Sequence, residues 1–402
     1  MPETATRETS AEQQAEWLRA RVTALSAIHR PTASEGEREA AEWLAGELDQ
    51  LGIASRLEEE RSNGGYWWPL GLAAGAGVIA GIAALRGHRA LGAMLGAGAC
   101  VAAVDDLPPR SRWLRSRLPK RSAWNVVADA GPPDASRTVV LVAHHDVAHS
   151  SLVFHPAIPA LADRLGLIER NDTSPPLMWP VACCSGVVAA GAAIGSRALT
   201  KLGIGLSAGV AASMAEIGAR DAVPGANDNA TGVVAMLAVA RSLAERPTED
   251  VRVLLVSTSE EATCEGMHRF AARHFTELPR ERTFFLCLDT VGSPHLCVLR
   301  GEGMFGISEY PPAALALLDG LADELRIRLF ENLRLRNATD GVYPLNAGYQ
   351  CASLCSVTDL KQPANYHWPT DTADRVDYGT VADAGHLAEA VVRRLDKNWL
   401  QG

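Results

Sequence analysis

No CxxC pair occurs among the eight cysteines of this 402-residue chain, and Cys183 and Cys184 sit side by side in an apolar run. That usage excludes a disulfide framework and fits thiols serving as small hydrophobes in a reducing compartment. Cys351 and Cys355 have metal-like spacing but no second pair to complete a zinc-cysteine site. A basic surplus is missing too. The net charge is -9, which argues against nucleic acid as the main partner, because a phosphate-binding surface needs excess Lys and Arg. The first residues, MPETATRETSAEQQAEW, carry no apolar core of the kind a secretory signal has, so the expected starting side is the cytoplasm. Neither a phosphate-binding glycine loop nor a nucleophile elbow is present.

The length allows a large core plus an added module. Trp17, Leu18, Val22, Leu25 and Ile28 form a helical stripe that predicts a helix from Ser10, as N-cap, to Ile28. A second helix, with Trp43, Leu44, Leu48 and Leu51 on its apolar face, is expected to stop at Gly52, and a short strand over 53–57 follows. Apolar, β-rich runs over 138–143, 251–257, 284–288 and 352–357 alternate with helical stretches over 232–243 and 311–325. Buried strands with covering helices make a mixed α/β fold, its central sheet mostly parallel and sandwiched by helices.

Two stretches break this rhythm. Residues 66–85 contain no charge, Arg86, His88 and Arg89 interrupt, and a second apolar run covers 90–104. The pattern returns over 177–195 and 202–218, with Arg197 and Lys201 between. Each pair reads as an inserted apolar helical hairpin rich in Gly and Ala, with Trp67, Trp68 and Trp179 placed for an interfacial belt. The expected organisation is a catalytic domain assembled from 1–65, 122–176 and 220–402, with hairpin inserts at 66–105 and 177–219. The runs are near or below the ~20 residues a crossing needs, so a soluble or dimerising helical insert has the same pattern. If the hairpins cross a bilayer, the six Lys and Arg of 110–121 outnumber those in either hairpin loop and place the globular part in the cytoplasm.

Chemistry-bearing residues collect where the strands end, which is where α/β sheets build their sites. His144-His145-Asp146 follows the first run, a pattern in which one carboxylate orients a metal-ligating imidazole. Asp228 lies in the Gly/Ala-walled turn GANDNATG, placed for a carboxylate that bridges two metals. Glu260 and Glu261 are adjacent carboxylates that repel each other unless one binds a cation and the other handles protons. Taken alone they could equally be a solvated helix start. Asp289 ends FFLCLD, and His367 stands in the polar loop before the last helix. His145 and His149 are read as structural or supporting groups, and Asn229 and Asn337 fit the N-x-T pattern.

The stretches VVLVAHHD, GANDNATG, VSTSEEATCEGMHRF, FLCLDTVG and NYHWPTDTADRVD together resemble the aminopeptidase Y and transferrin-receptor-like zinc exopeptidases, and HRPTASEGEREAAEWLAGELDQLGI is similar to that family's first two helices. The resemblance implies a zinc-exopeptidase (phosphorylase-like) fold and two Zn²⁺ per chain, bridged by Asp228. His144 and Asp289 would complete one metal, and Glu261 and His367 the other. Glu260 would be the general base and Asp146 the carboxylate orienting His144. The implied activity is aminopeptidase hydrolysis of short peptides, membrane-associated through the hairpins. A single-zinc glutaminyl-cyclase-like acyltransferase is the alternative enzyme, and a catalytically silent receptor-like scaffold the non-enzymatic one. Thr339-Asp340-Gly341 departs from the family's Ser-Asp-His at that point.

Overall fold

A computed structural model describes residues 2–166, 168, 172–259 and 263–400, with side chains from residue 12 onward. In chain order its main elements are helices α1 (Pro2–Ser26) and α2 (Glu35–Gln50), strand β1 (Ser55–Ser62), helices α3 (Trp67–Leu85) and α4 (Arg89–Asp106), and strands β2 (Arg121–Ala130) and β3 (Arg137–His144). Then come α5 (Ala157–Arg164), α6 (Trp179–Ile194), α7 (Arg197–Ala219), α8 (Thr231–Glu245), β4 (Val251–Thr258), α9 (Glu265–His274), β5 (Thr283–Leu288) and β6 (His295–Val298). The short strands β7 (Gly301–Glu302), β8 (Ser308–Glu309) and β9 (Arg334–Leu335) form a small side sheet. Around them lie α10 (Pro312–Leu325), α11 (Val342–Asn346), β10 (Gln350–Val357) and α12 (Tyr378–Lys397).

The main sheet has the order β1-β2-β4-β3-β5-β10-β6. Its four central strands, β4, β3, β5 and β10, are parallel, and the flanking pairings are antiparallel. Alternation along β3 shows why this stretch is an unbroken apolar run. Val139 and Leu141 pack with α1, α2, α8 and α12 on one face, while Val140 and Val142 pack with Met267, Phe270 and Tyr349 on the other. A strand covered on both faces cannot afford polar alternation. The same holds for β4, β5 and β10, each within two residues of its predicted range.

Two predicted boundaries shift. The first helix begins at Pro2, so Ser10 lies inside it rather than at its start. The strand expected over 53–57 runs over Ser55–Ser62 with the sequence SRLEEERS. It is an edge strand whose Glu58 and Glu60 pair with Arg273, and such charged edges resist strand-to-strand aggregation. Its antiparallel partner is β2.

Helices α3, α4, α6 and α7 pack together as a four-helix bundle. Small residues set its spacing: a Cβ at Gly77 would lie 2.3 Å from Ser185 Oγ, so α3, α6 and α7 meet almost backbone to backbone there. Neither α3 nor α6 contains a charge, and α4 and α7 keep theirs near their ends. Ile79, Met94, Val101 and Ile194 are exposed on the outside of the bundle. By length and composition α3 and α7 are long and apolar enough to cross a membrane, and α6 is shorter. At the base, Arg115 is buried in ion pairs with Asp106 (2.8 Å) and Glu265 (3.3 Å), and Arg112 donates to the Thr263 carbonyl. Two of the six cations that suggested a cytoplasmic face therefore dock the bundle onto the sheet domain.

Candidate metal centre

The carboxyl ends of β3, β4, β5 and β10 lie along one edge of the sheet, with His144 paired in register to Thr258 and Leu288 to Leu354. His144 is the last residue of β3, and Asp289 directly follows β5. Asp228 approaches from the loop ahead of α8, and His367 from the loop ahead of α12. Four of the predicted ligands therefore converge. His144 Nε2 lies 3.3 Å from Asp228 Oδ1 and 4.0 Å from Asp289 Oδ1, while His367 Nε2 lies 3.3 Å from Asp228 Oδ2. The ligand atoms of His144, Asp228 and Asp289 all fall within 4.8 Å of one another. Glu260 and Glu261 lie outside the described residues.

This donor set fits zinc. Two ligands about 2.0–2.1 Å from a tetrahedral ion sit roughly 3.3 Å apart. The two oxygens of Asp228 face two different imidazoles, an arrangement in which one carboxylate serves two neighbouring ions. His144 Nδ1 faces Asp146 Oδ1 at 3.5 Å, and Thr32 donates to Asp146 Oδ2 at 2.5 Å. Burial alone would lower the His144 pKa, but its hydrogen bonds to Asp146 and Asp228 outweigh that and hold it well above the ordinary value. Burial would likewise raise Asp228, yet His144 and His367 keep its carboxyl far below the usual range.

The Asp228 loop is held from beneath. Gly225, at φ +63°, starts it, and a Cβ there would lie 2.1 Å from Val147 Cγ1. The Asp228–Asn229 peptide is cis. Asp371 accepts the backbone N–H of Asn227 (2.7 Å) and of Asp228 (3.1 Å). Arg30, fully buried, donates to the carbonyls of His145, Pro224 and Gly225, each at 2.7 Å, and so ties the end of β3 to the same loop. Asn229 is fully buried and donates to the Leu288 carbonyl, which removes it as a glycosylation acceptor in the folded protein. Arg30, Thr32 and Asp371 carry no signal in their spacing, although the stretches HRPTASEGE and NYHWPTDTADRVD contain them.

The remaining polar residues are placed more plainly. His145 turns away from the centre, with Nδ1 2.9 Å from Ser257 Oγ and Nε2 3.2 Å from Glu37 Oε1. His149 Nδ1 donates to the Arg220 carbonyl at 2.5 Å. Cys351 and Cys355 are buried thiols of β10. The Thr339-Asp340-Gly341 departure has a packing cause. A Cβ at Gly341 would lie 2.3 Å from Ser353 Oγ and 2.5 Å from the Tyr310 hydroxyl, leaving no room for an imidazole. Those hydroxyls belong to a buried cluster around Glu302, whose Oε1 accepts from Tyr310 at 2.5 Å and whose Oε2 accepts from Thr339 N–H at 2.7 Å. Burial pushes the Glu302 carboxyl up to about 7 and that of Asp340, which accepts from Thr258, up to about 6.

Residues 211–392 match Peptidase family M28. The match spans the Asp228, Asp289 and His367 loops and the 260–261 pair. No curated protein matches the sequence. Solved structures of similar fold include a glutaminyl cyclase from Bacteroides thetaiotaomicron bound to N-acetylhistamine, at 13% identity, TM-score 0.56, covering 96% of this chain and 98% of that one. A Zn-dependent exopeptidase from Parabacteroides distasonis is similar at 14% identity and TM-score 0.54, covering 94% of this chain and 97% of that one. A zinc aminopeptidase from Bacillus subtilis aligns at 14% identity and TM-score 0.54, covering 94% of each chain. These likenesses show the shared mixed α/β fold, and the matched stretch over 211–392 carries the C-terminal part of the candidate metal centre.

Proposed function

We propose that this protein is a di-zinc aminopeptidase that removes N-terminal residues from short peptides, held on a membrane by the four-helix bundle with the sheet domain in the cytoplasm. The observation that carries the reading is Asp228, whose two carboxylate oxygens each face a separate imidazole at 3.3 Å. His144, Asp228 and Asp289 would hold one ion, and His367, Asp228 and Glu261 the other. Zinc bound there supplies Lewis-acid polarisation of the scissile carbonyl and a water of lowered pKa. Asp146, fixed by Thr32, orients His144, and Asp371 with Arg30 fixes the backbone that carries Asp228. Glu260, two residues past the end of β4, takes the proton of the attacking water and delivers it to the leaving amine.

Support for the membrane reading is the bundle's chemistry. Its charges are confined near the helix ends and large apolar side chains cover its outside, and α7 at 23 residues is roughly 34 Å long at ~1.5 Å per residue. The glutaminyl cyclases among the similar folds keep a second enzyme reading alive, a single-zinc acyl transfer onto an N-terminal glutamine's own amine. One experiment separates the two: zinc per chain by elemental analysis, with aminoacyl amides and glutaminyl peptides assayed before and after chelation. Two zinc ions with chelator-sensitive amide hydrolysis supports the aminopeptidase. One zinc with cyclisation and no hydrolysis overturns it.

A further inference from the structure

Beside the metal centre, an apolar groove of about 390 Å³ runs between α6 and α7, within the roughly 300–1,000 Å³ range of ligand sites. Val153, Phe154, Leu177, Val181, Leu206 and Val210 line it, and among the described residues no Asp, Glu, Lys or Arg does. His367 also lines it. Leu177, Asn337 and Tyr366 line both this groove and the cleft that holds His144, Asp228 and Asp289, so the two spaces are neighbours that share these three side chains. The cleft's inner wall is formed by buried Leu299, Leu333, Cys355 and Val357, a lining suited to a single apolar side chain. The groove therefore adjoins the side of the cleft bounded by Asn337 and Tyr366. Gly205 and Gly209 line the groove, and a Cβ at either would meet nothing within 4 Å, so an adjoining chain has space over them.

We infer that the groove between α6 and α7 seats the segment following the cleaved residue, and that the substrates are peptides whose next few residues are apolar and uncharged. The inference rests on the aminopeptidase reading and narrows its substrate class. It also gives the bundle a role in recognition, since the wall of the groove is the bundle itself. Moving one leucine side chain from water into such a lining is worth roughly tenfold or more in affinity.

The test compares the purified full chain with its Gly209→Phe variant, which fills the groove where space is free, and with Gly98→Phe, an exposed α4 position outside the groove where a Cβ likewise meets nothing within 4 Å. The substrates are leucine amide, Leu-Leu-Val-Leu-amide and Leu-Glu-Lys-Glu-amide. The expected result is a kcat/KM at least about tenfold higher for the apolar tetrapeptide than for the charged one. Gly209→Phe should lower the apolar value about tenfold more than it lowers that for leucine amide, and Gly98→Phe should leave all three at wild-type values. Fluorescence anisotropy of a fluorescein-labelled peptide, D-leucine followed by Leu-Val-Leu, gives a Kd without turnover, and Gly209→Phe should weaken it by a similar factor. Equal rates on the two tetrapeptides, or an unchanged Kd in Gly209→Phe, overturns the groove. No cleavage of any amide, with tight labelled-peptide binding that Gly209→Phe weakens, overturns the aminopeptidase reading and leaves the groove standing.

Discussion

Asp371 is the residue whose loss says most about how the centre is built. Its carboxylate accepts two backbone N–H groups, from Asn227 at 2.7 Å and Asp228 at 3.1 Å, both buried. Asp371→Ala leaves both donors without an acceptor in a space too enclosed for bulk water. Each such donor costs about 1–3 kcal/mol, so the expected destabilisation is roughly 2–6 kcal/mol. Against a typical total of about 5–15 kcal/mol, that is a large fraction. Asp371→Asn keeps one acceptor oxygen but turns an amide NH₂ toward the other N–H, so its loss should be about half as large. Denaturant unfolding measures the cost, and hydrogen exchange at the Asn227 and Asp228 amides locates it. Zinc affinity should fall in the same order, because Asp228 is carried by the loosened backbone. Asp371→Ala within about 0.5 kcal/mol of wild type, with both amides still protected, would refute the claim that this carboxylate holds the loop.

Three further outcomes are expected. Glu260→Gln should retain zinc while kcat falls by about 10²–10⁴-fold, and Asp228→Ala should weaken both metals, read by elemental analysis and turnover; full activity in Glu260→Gln sinks the general-base assignment. The Glu302 carboxyl, raised by burial to about 7 from an ordinary 4.5, stays protonated in the folded protein after the unfolded chain has ionised. Its contribution is therefore complete below about 4.5 and is lost as pH rises toward about 7, on the order of 3 kcal/mol in all. Glu302→Gln should flatten that part of the stability profile, and an unchanged slope counts against the buried neutral acid. Gly77→Leu should destabilise the bundle by at least about 1–3 kcal/mol through collision with Ser185 and Ser207, whereas Gly75→Leu, where a Cβ meets nothing, should be near neutral in the same thermal melts.

The parts of this protein that a sequence announces are those whose side chains face one environment along a whole element. β3, β4, β5 and β10 are legible because both faces of each are buried, and α8 because its apolar surface is broad. β1 is misplaced because its Glu and Arg side chains make ion pairs at the sheet edge, a role that leaves no apolar alternation to read. The candidate ligands His144, Asp228, Asp289 and His367 are visible as strand-end and loop groups, since metal chemistry would restrict the residue type at each position. Arg30 and Asp371 are invisible for the opposite reason. They recognise carbonyls and N–H groups, which every residue carries, so no partner in the sequence marks them. The cations of 110–121 show a related limit, because counting Lys and Arg cannot separate a charge facing a lipid headgroup from one spent on Asp106 and Glu265. It follows that Arg115→Leu discriminates between the two uses of charge. If Arg115 serves only orientation, one lost cation of six shifts topology and leaves stability alone. If it serves docking, the buried Asp106 loses its Arg115 partner and Glu265 keeps Arg269 at 3.4 Å. The cost then reaches about 3–5 kcal/mol, with the sheet domain still on its original side by protease protection.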